Sequence, residues 1–270
     1  MKVLLVRMLW LNLEKRIKKR VEKIIRVFVA NRKIYQNIIK SISVKEKLLA
    51  VLIDPDKFHI KHVTRFFKKV NQSIATHIFV GGSTVEVEAT ETLVFEIKKH
   101  TKLPVILFPG AIHQITNKAD ALLFLSLISG RNPDYLIGKH VEAIPKLNNT
   151  SLEIISTGYV LIESGKETAV ERVTKTKAID RCAIQKIADT AKAGELLGMK
   201  LMYLEAGSGA LNPVTSEIIS RVKENLSIPL IVGGGIKNKQ QLENAYSSGA
   251  DLVVIGTAFE ENESFFEELK

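Results

Sequence analysis

From about residue 48 onward, short apolar runs alternate with charged stretches of helical period. The runs are LLAVLID (48–54), THIFVGG (76–82), LPVILFPG (103–110), ALLFLSLISG (121–130), LEIISTGYVLI (152–162), LMYLEAG (201–207), PLIVGGG (229–235) and DLVVIG (251–256). They are near-continuous in Val, Ile and Leu, which is how strands buried on both faces of a parallel sheet read. Between them, HIKHVTRFFKKV (59–70) and IQKIADTAKAGELLG (184–198) carry the helical period. Asn212-Pro213 predicts a helix start, with Pro set in the first turn. Eight such units predict an α/β fold, a (β/α)8 TIM barrel. An open doubly wound sheet is the alternative, and eight units with no second domain favour closure. AIHQITNKAD, after the third run, is short for a full helix, so one outer helix is expected to be short or missing there.

Composition bounds the chemistry. The chain has 270 residues, and its single cysteine, Cys182, excludes an intramolecular disulfide framework and a cysteine-built zinc site. It reads as a reduced, cytoplasmic chain, with no apolar run approaching the roughly 20 residues that cross a bilayer. The net charge is +10, but residues 1–33 hold eleven Lys or Arg against two acids, and the remainder is nearly neutral. A nucleic-acid groove is therefore not expected. Two regions follow: a basic N-terminal extension, 1–33, outside the barrel, and a single barrel domain, 34–270. In the extension, Leu13, Ile17, Val21, Ile24, Ile25 and Phe28 recur at helical spacing among lysines and arginines. That pattern suits a helix lying on an anionic membrane surface. An early chain start or an unpacked extension is the other reading.

In a barrel of this kind the residues that end the strands form the site. Here they are Asp54, Ser83, Glu205 and three glycine-rich ends: Gly207-Ser208-Gly209, Gly233-Gly234-Gly235 and Gly256-Thr257. Phosphate needs several N–H donors aimed at one spot with no side chain in the way, so glycines on three successive strands read as a phosphate cup. Tight strand-to-helix turns would account for one pair alone. Asp54 is a hard oxygen ligand suited to Mg²⁺, with the Ser83 hydroxyl next door. A turn residue before Pro55 is the alternative, with Asp56 capping the next helix. Glu205 ends a buried strand, where a carboxyl gains proton affinity and serves as a base. Accepting loop N–H bonds is its structural alternative. His113 and His140 have no partner in sequence and read as surface or satisfied residues.

LLAVLIDPDK, FVGGST, NPDYLIGKHV, STGYVLI, YLEAGSGA, IVGGGI and VIGTAFE together resemble geranylgeranylglyceryl phosphate synthases, from about residue 34 to the C-terminus. The likeness is to the archaeal-type branch that also occurs in some bacteria. The bacillus-type branch has a Lys two residues before the first-strand Asp, and this chain has Leu52. The resemblance implies a modified (β/α)8 barrel in which the C3 hydroxyl of sn-glycerol 1-phosphate attacks C1 of a polyprenyl diphosphate. It places Mg²⁺ on Asp54 and Ser83. It places glycerol phosphate on Tyr203, Leu204, Glu205, Ala206, Gly207, Ser208 and Gly209, on Gly234 and Gly235, and on Gly256 and Thr257. Mg²⁺ would neutralise the leaving diphosphate, and Glu205 would accept the hydroxyl proton. Two rivals stand beside this: another phosphate-cup barrel, such as a sugar-phosphate isomerase, and a non-catalytic barrel that binds a phosphorylated lipid. Tyr135 and Ile137 in an otherwise polar loop point to a homo-oligomer.

Overall fold

The computed structural model describes residues 33–261 and 265–269. The amphipathic pattern of the basic extension lies outside the described residues. Eight parallel strands close into one barrel in sequence order, β1 (Leu48–Ile53), β2 (His77–Val80), β3 (Val105–Leu107), β4 (Ala121–Leu127), β5 (Glu153–Leu161), β6 (Leu201–Glu205), β7 (Leu230–Gly233) and β8 (Leu252–Ile255). β1 pairs with both β2 and β8, so the sheet has no edge. Every predicted run contains one strand.

Alternate residues divide the barrel into two cores. Leu48, Ala50, Phe79, Ile106, Leu123, Ile155, Leu201, Tyr203, Ile231 and Val254 point inward and fill the barrel. Their neighbours, such as Leu49, Val51, Met202, Leu204 and Val253, point outward beneath the helices. Both sets are buried, which is why the runs show no polar alternation. Helix α1 (Lys33–Ser43) precedes β1 and closes the amino end of the barrel with Ile34 and Ile38. The carboxylate of Glu153, at the start of β5, accepts the N–H groups of Ile34 at 2.7 Å and Tyr35 at 3.1 Å. It thereby satisfies two donors that a helix start leaves open.

The outer layer is α2 (Val63–Val70), α3 (Ala89–His100), α4 (Lys139–Leu147), α5 (Ala169–Thr174), α6 (Ile184–Leu196), α7 (Ser216–Asn225), α8 (Lys239–Ser247), α9 (Thr257–Glu261) and α10 (Phe265–Glu268). Between β3 and β4 there is only a single 3₁₀ turn, Ile112–Gln114, so the outer helix is missing where the short link predicted it. Two local expectations are corrected. α7 starts three residues after Pro213, because Thr215 is its N-cap and accepts the N–H of Ile218 at 3.3 Å. Asp56 caps no helix. Its Oδ1 accepts the Glu86 N–H at 3.0 Å and ties the β1 and β2 loops together. No described helix is long and apolar enough to cross a membrane.

Candidate active site at the carboxyl end of the barrel

The loops after β6, β7 and β8 form a cup of backbone. Gly207, Gly209, Gly234 and Gly235 have φ of +99°, +63°, +85° and +74°, a region that side chains disfavour. Among the described residues, no chain acceptor takes the N–H of Ser208, Gly209, Gly234, Gly235 or Gly256. Five donors on three adjacent strand ends therefore stay available to an anion. Ser208 Oγ and Thr257 Oγ1 lie 3.3 Å apart and close the ring between the β6 and β8 loops.

Glu205 borders this cup from the last position of β6, and it is 5% exposed. Burial raises its carboxyl to about 7, against the opposing pull of the Gly207 N–H and the neighbouring Tyr203 hydroxyl. Its Oε1 accepts the Gly207 N–H at 2.6 Å. The loop-holding reading is present in this geometry, and the raised proton affinity is what the proton-accepting reading requires. Tyr203, two residues earlier on the same inward face, is fully buried. Its buried hydroxyl lies beside the Glu205 carboxyl and opposes the rise of that carboxyl's proton affinity, without the geometry of a full hydrogen bond.

Asp54 follows the last residue of β1 in another part of the mouth. Its Oδ1 accepts the Asp56 N–H at 3.2 Å, and its Oδ2 lies 3.2 Å from Lys57 Nζ. A Cβ on Gly82 would lie 2.8 Å from Asp54 Oδ1, so the carboxylate rests on bare backbone next to Ser83. The turn reading of Asp54 holds as well, and it leaves lone pairs over. An apolar groove of about 920 Å³, open to solvent, runs from this corner across the gap left by the missing helix. Gly82, Ser83 and Gly110 line its head, while Ile112, Ile115, Phe124, Ala143 and Val173 line its length.

The model of the PcrB family matches residues 42–270. The chain belongs to the PcrB family. A geranylgeranylglyceryl phosphate synthase from Zunongwangia profunda is 58% identical over 231 residues, which cover 86% of this chain and 98% of that relative. A protein of the same name from Thermococcus gammatolerans is 42% identical over 217 residues, 80% of this chain and 85% of its own length. Among solved structures, the (S)-3-O-geranylgeranylglyceryl phosphate synthase of Thermoplasma acidophilum, in complex with its substrate sn-glycerol-1-phosphate, superposes with a TM-score of 0.82. It is 32% identical, with 87% of this chain and 95% of that chain covered.

In this PcrB-family chain the mouth collects Asp54, Ser83, Tyr203, Glu205, Ser208, Gly234, Gly235, Gly256 and Thr257. It does not collect two residues of the implied glycerol phosphate segment. Leu204 and Ala206 turn outward into the core beneath the helices, and the Ala206 N–H is spent on the Gly233 C=O. Strand parity is the reason: with Tyr203 and Glu205 facing in, their alternate neighbours face out. His113 is satisfied by Val85 O at 2.7 Å, and His140 packs edge-on to Phe124 in the groove wall. Motif reading missed Lys166, whose Nζ would lie 3.4 Å from a Cβ on Gly209. It also missed Phe108 and Tyr159, whose rings flank Tyr203 at 5.3 and 5.4 Å. Aromatics flanking an inward strand position are a recoverable signal, whereas a lysine on a long loop is not.

The glycines differ in what they tolerate. A Cβ on Gly234 would lie 2.4 Å from Glu205 Oε1 at a φ of +85°, whereas one on Gly256 meets Leu52 at 3.3 Å and beyond. A displacement near 1 Å at a reacting group costs about 100-fold. Gly234→Ala should therefore lose at least about 100-fold in kcat/KM for glycerol 1-phosphate, and Gly256→Ala should stay within about tenfold. Steady-state kinetics of the two variants check this, and equal losses would refute the assigned difference.

Proposed function

We propose that the protein forms an ether bond between the C3 hydroxyl of sn-glycerol 1-phosphate and C1 of a polyprenyl diphosphate, with geranylgeranyl as the prenyl group. Family membership supports this, and one observation carries it. The mouth is split between a cup of free N–H donors bordered by a buried carboxyl and a long apolar groove whose head is lined by Gly82 and Ser83, beside Asp54. A sugar-phosphate isomerase has no use for such a groove. A barrel that only binds a phosphorylated lipid has no use for a base tuned near neutrality.

The chain's own groups divide the work. Backbone N–H groups of the β6, β7 and β8 loops hold the phosphate, and the Ser208 and Thr257 hydroxyls complete its ring. Lys166 supplies a cation above Gly209. The glycerol C3 hydroxyl faces Glu205, which takes its proton as the oxygen bonds to C1 of the prenyl chain. The C1–oxygen bond to diphosphate breaks, and the pair of electrons leaves with diphosphate. Phe108, Tyr159 and Tyr203 form an aromatic floor between the two halves of the site. They keep water from the allylic carbon and face its developing charge with their rings.

Asp54 and Ser83 fit Mg²⁺ as a pair of hard oxygens beside the groove head. Among the described residues there is no cluster of three His, Cys, Asp or Glu, so the remaining ligands would be diphosphate oxygens and water. Bound there, the ion would neutralise the leaving diphosphate. Lys57 adds a second positive charge at the same corner.

The assay is Mg²⁺, labelled glycerol 1-phosphate and geranylgeranyl diphosphate, with the ether product measured. Wild-type kcat/KM should fall as pH drops through about 7, because protonation of Glu205 removes the base. Glu205→Gln should lower kcat by about 10²–10⁴-fold and abolish that limb. A variant that keeps the limb assigns it to another group. Asp54→Ala should remove Mg²⁺-dependent turnover while the circular dichroism spectrum stays unchanged. Near wild-type turnover would exclude Asp54 as the metal ligand.

Two associations belong to the same reading. Ile137, Val141 and Ile144 are 60%, 64% and 45% exposed at spacings that put them on one face of α4 and the turn before it. We infer that this stripe joins a second copy of the chain. Light scattering should report an oligomer that Val141→Glu dissociates, and a monomeric wild type refutes it. For residues 1–33 we infer contact with anionic membrane. The full chain should sediment with anionic vesicles at low salt and release at high salt, and failure to sediment excludes an anchor.

A further inference from the structure

Gln114 is 1% exposed and sits in the single 3₁₀ turn that replaces the outer helix after β3. Its carboxamide spans two strand ends. Oε1 accepts the N–H groups of Gly82 at 3.4 Å and Gly110 at 3.3 Å, and Nε2 donates to the Gly82 C=O at 2.9 Å. The β2–β3 ladder ends one step earlier, where the Phe108 N–H meets the Val80 C=O at 2.8 Å. The side chain therefore adds one more rung to the sheet, beyond the point where the strands can pair with each other.

The backbone it holds is close-packed. A Cβ on Gly110 would lie 2.4 Å from Gly82 O and 3.0 Å from the Ser83 Cα. A Cβ on Gly82 would lie 2.8 Å from Asp54 Oδ1. A shift of Gly82 is thus passed to Ser83 through the chain and to Asp54 by contact. In a complete barrel, an outer helix would pack against this loop. Here the groove occupies that space, and the loop needs another support. A buried amide with both donor and acceptor fixes position more sharply than apolar packing does, because each misaligned bond leaves a buried polar group unpaired.

We propose that Gln114 is a positioning residue for the diphosphate end of the site: it sets Gly82, and through Gly82 the placement of Ser83 and the Asp54 carboxylate. The proposal rests on the assignment of Asp54 and Ser83 to that end. It sharpens the assignment by naming what holds the corner once the helix is gone. A residue that only stabilised the barrel would loosen both halves of the mouth together. A positioning residue affects one half, because the glycerol phosphate cup is built on β6, β7 and β8, whereas the side-chain hydrogen bonds of Gln114 go to the ends of β2 and β3.

The test uses Gln114→Met, which keeps the length and loses all three bonds, and Gln114→Glu, which keeps the acceptor and loses the donor to Gly82 C=O. Asp54→Asn is measured beside them. For each, KM for geranylgeranyl diphosphate, KM for glycerol 1-phosphate, kcat and Tm are read, together with calorimetric binding of inorganic pyrophosphate in Mg²⁺. Both Gln114 variants should weaken pyrophosphate binding and raise the prenyl diphosphate KM by about tenfold or more, in line with the cost of a small misplacement. The glycerol 1-phosphate KM should stay within about twofold, as expected for a site held by other strands. If both KM values rise by the same factor, or only Tm falls, Gln114 is a packing residue and the proposal is overturned. Should Gln114→Met fail to fold, Gln114→Glu alone decides. If Asp54→Asn weakens pyrophosphate binding and neither Gln114 variant does, the proposal fails while the assignment of Asp54 stands. If Asp54→Asn is silent, the assignment fails and the proposal falls with it.

Discussion

At the mouth of the barrel, neighbouring backbones pass closer than any side chain allows. A Cβ on Gly81 would lie 1.9 Å from Phe108 O, and one on Gly233 would lie 2.3 Å from the Tyr203 hydroxyl oxygen. The second contact lets Tyr203 reach across β7, and the equivalent space over Gly234 admits the Glu205 carboxyl. Glycine at these strand ends therefore does two things at once. It exposes N–H groups toward the centre, and it makes room for the two acidic or phenolic groups that border them. The cup and the buried Glu205 carboxyl share one steric condition, so neither is built without the other.

The mouth has a polar half and an apolar half because the outer layer is uneven. From β6 to β8 a helix follows every strand, and glycine-rich loops present backbone to the mouth. Where the helix after β3 is absent, the strand ends open onto Ile112, Ile115, Phe124 and the inner side of α4. A phosphate needs the first environment and a hydrocarbon tail the second. The reacting atoms must lie at their border, and there the structure puts Glu205, Tyr203 and the rings of Phe108 and Tyr159.

Much of this was legible in the sequence, and the exceptions share a cause. Two-sided burial leaves a continuous apolar run whatever the neighbours are, so all eight strands could be read one by one. The missing helix was legible because ten residues cannot hold a full outer helix and two turns. Glycine clusters were legible because few other reasons put three together at a strand end. Gln114 was not, since a glutamine in a short polar link looks solvated until the fold buries it. Leu204 and Ala206 were assigned to the site as members of a motif, and the pleat turned them away. The start of α7 was misread for a similar reason: Pro213 suits a first turn, but the Thr215 hydroxyl had the better geometry as a cap.

The hold of Glu153 on the N-terminus of α1 also has a consequence in time. The bond joins residues 119 positions apart, and β1 needs β8, some 200 positions away, before its second side is paired. A ribosome adding about 5–20 residues per second takes roughly 6–24 s between α1 and its acceptor. Through that interval α1 and β1 exist without their partners, and the hydrogen-bonding edge of β1 toward β8 stays unpaired longer still. A closed parallel barrel of this kind completes its first strand last, so β1 waits longest for protection.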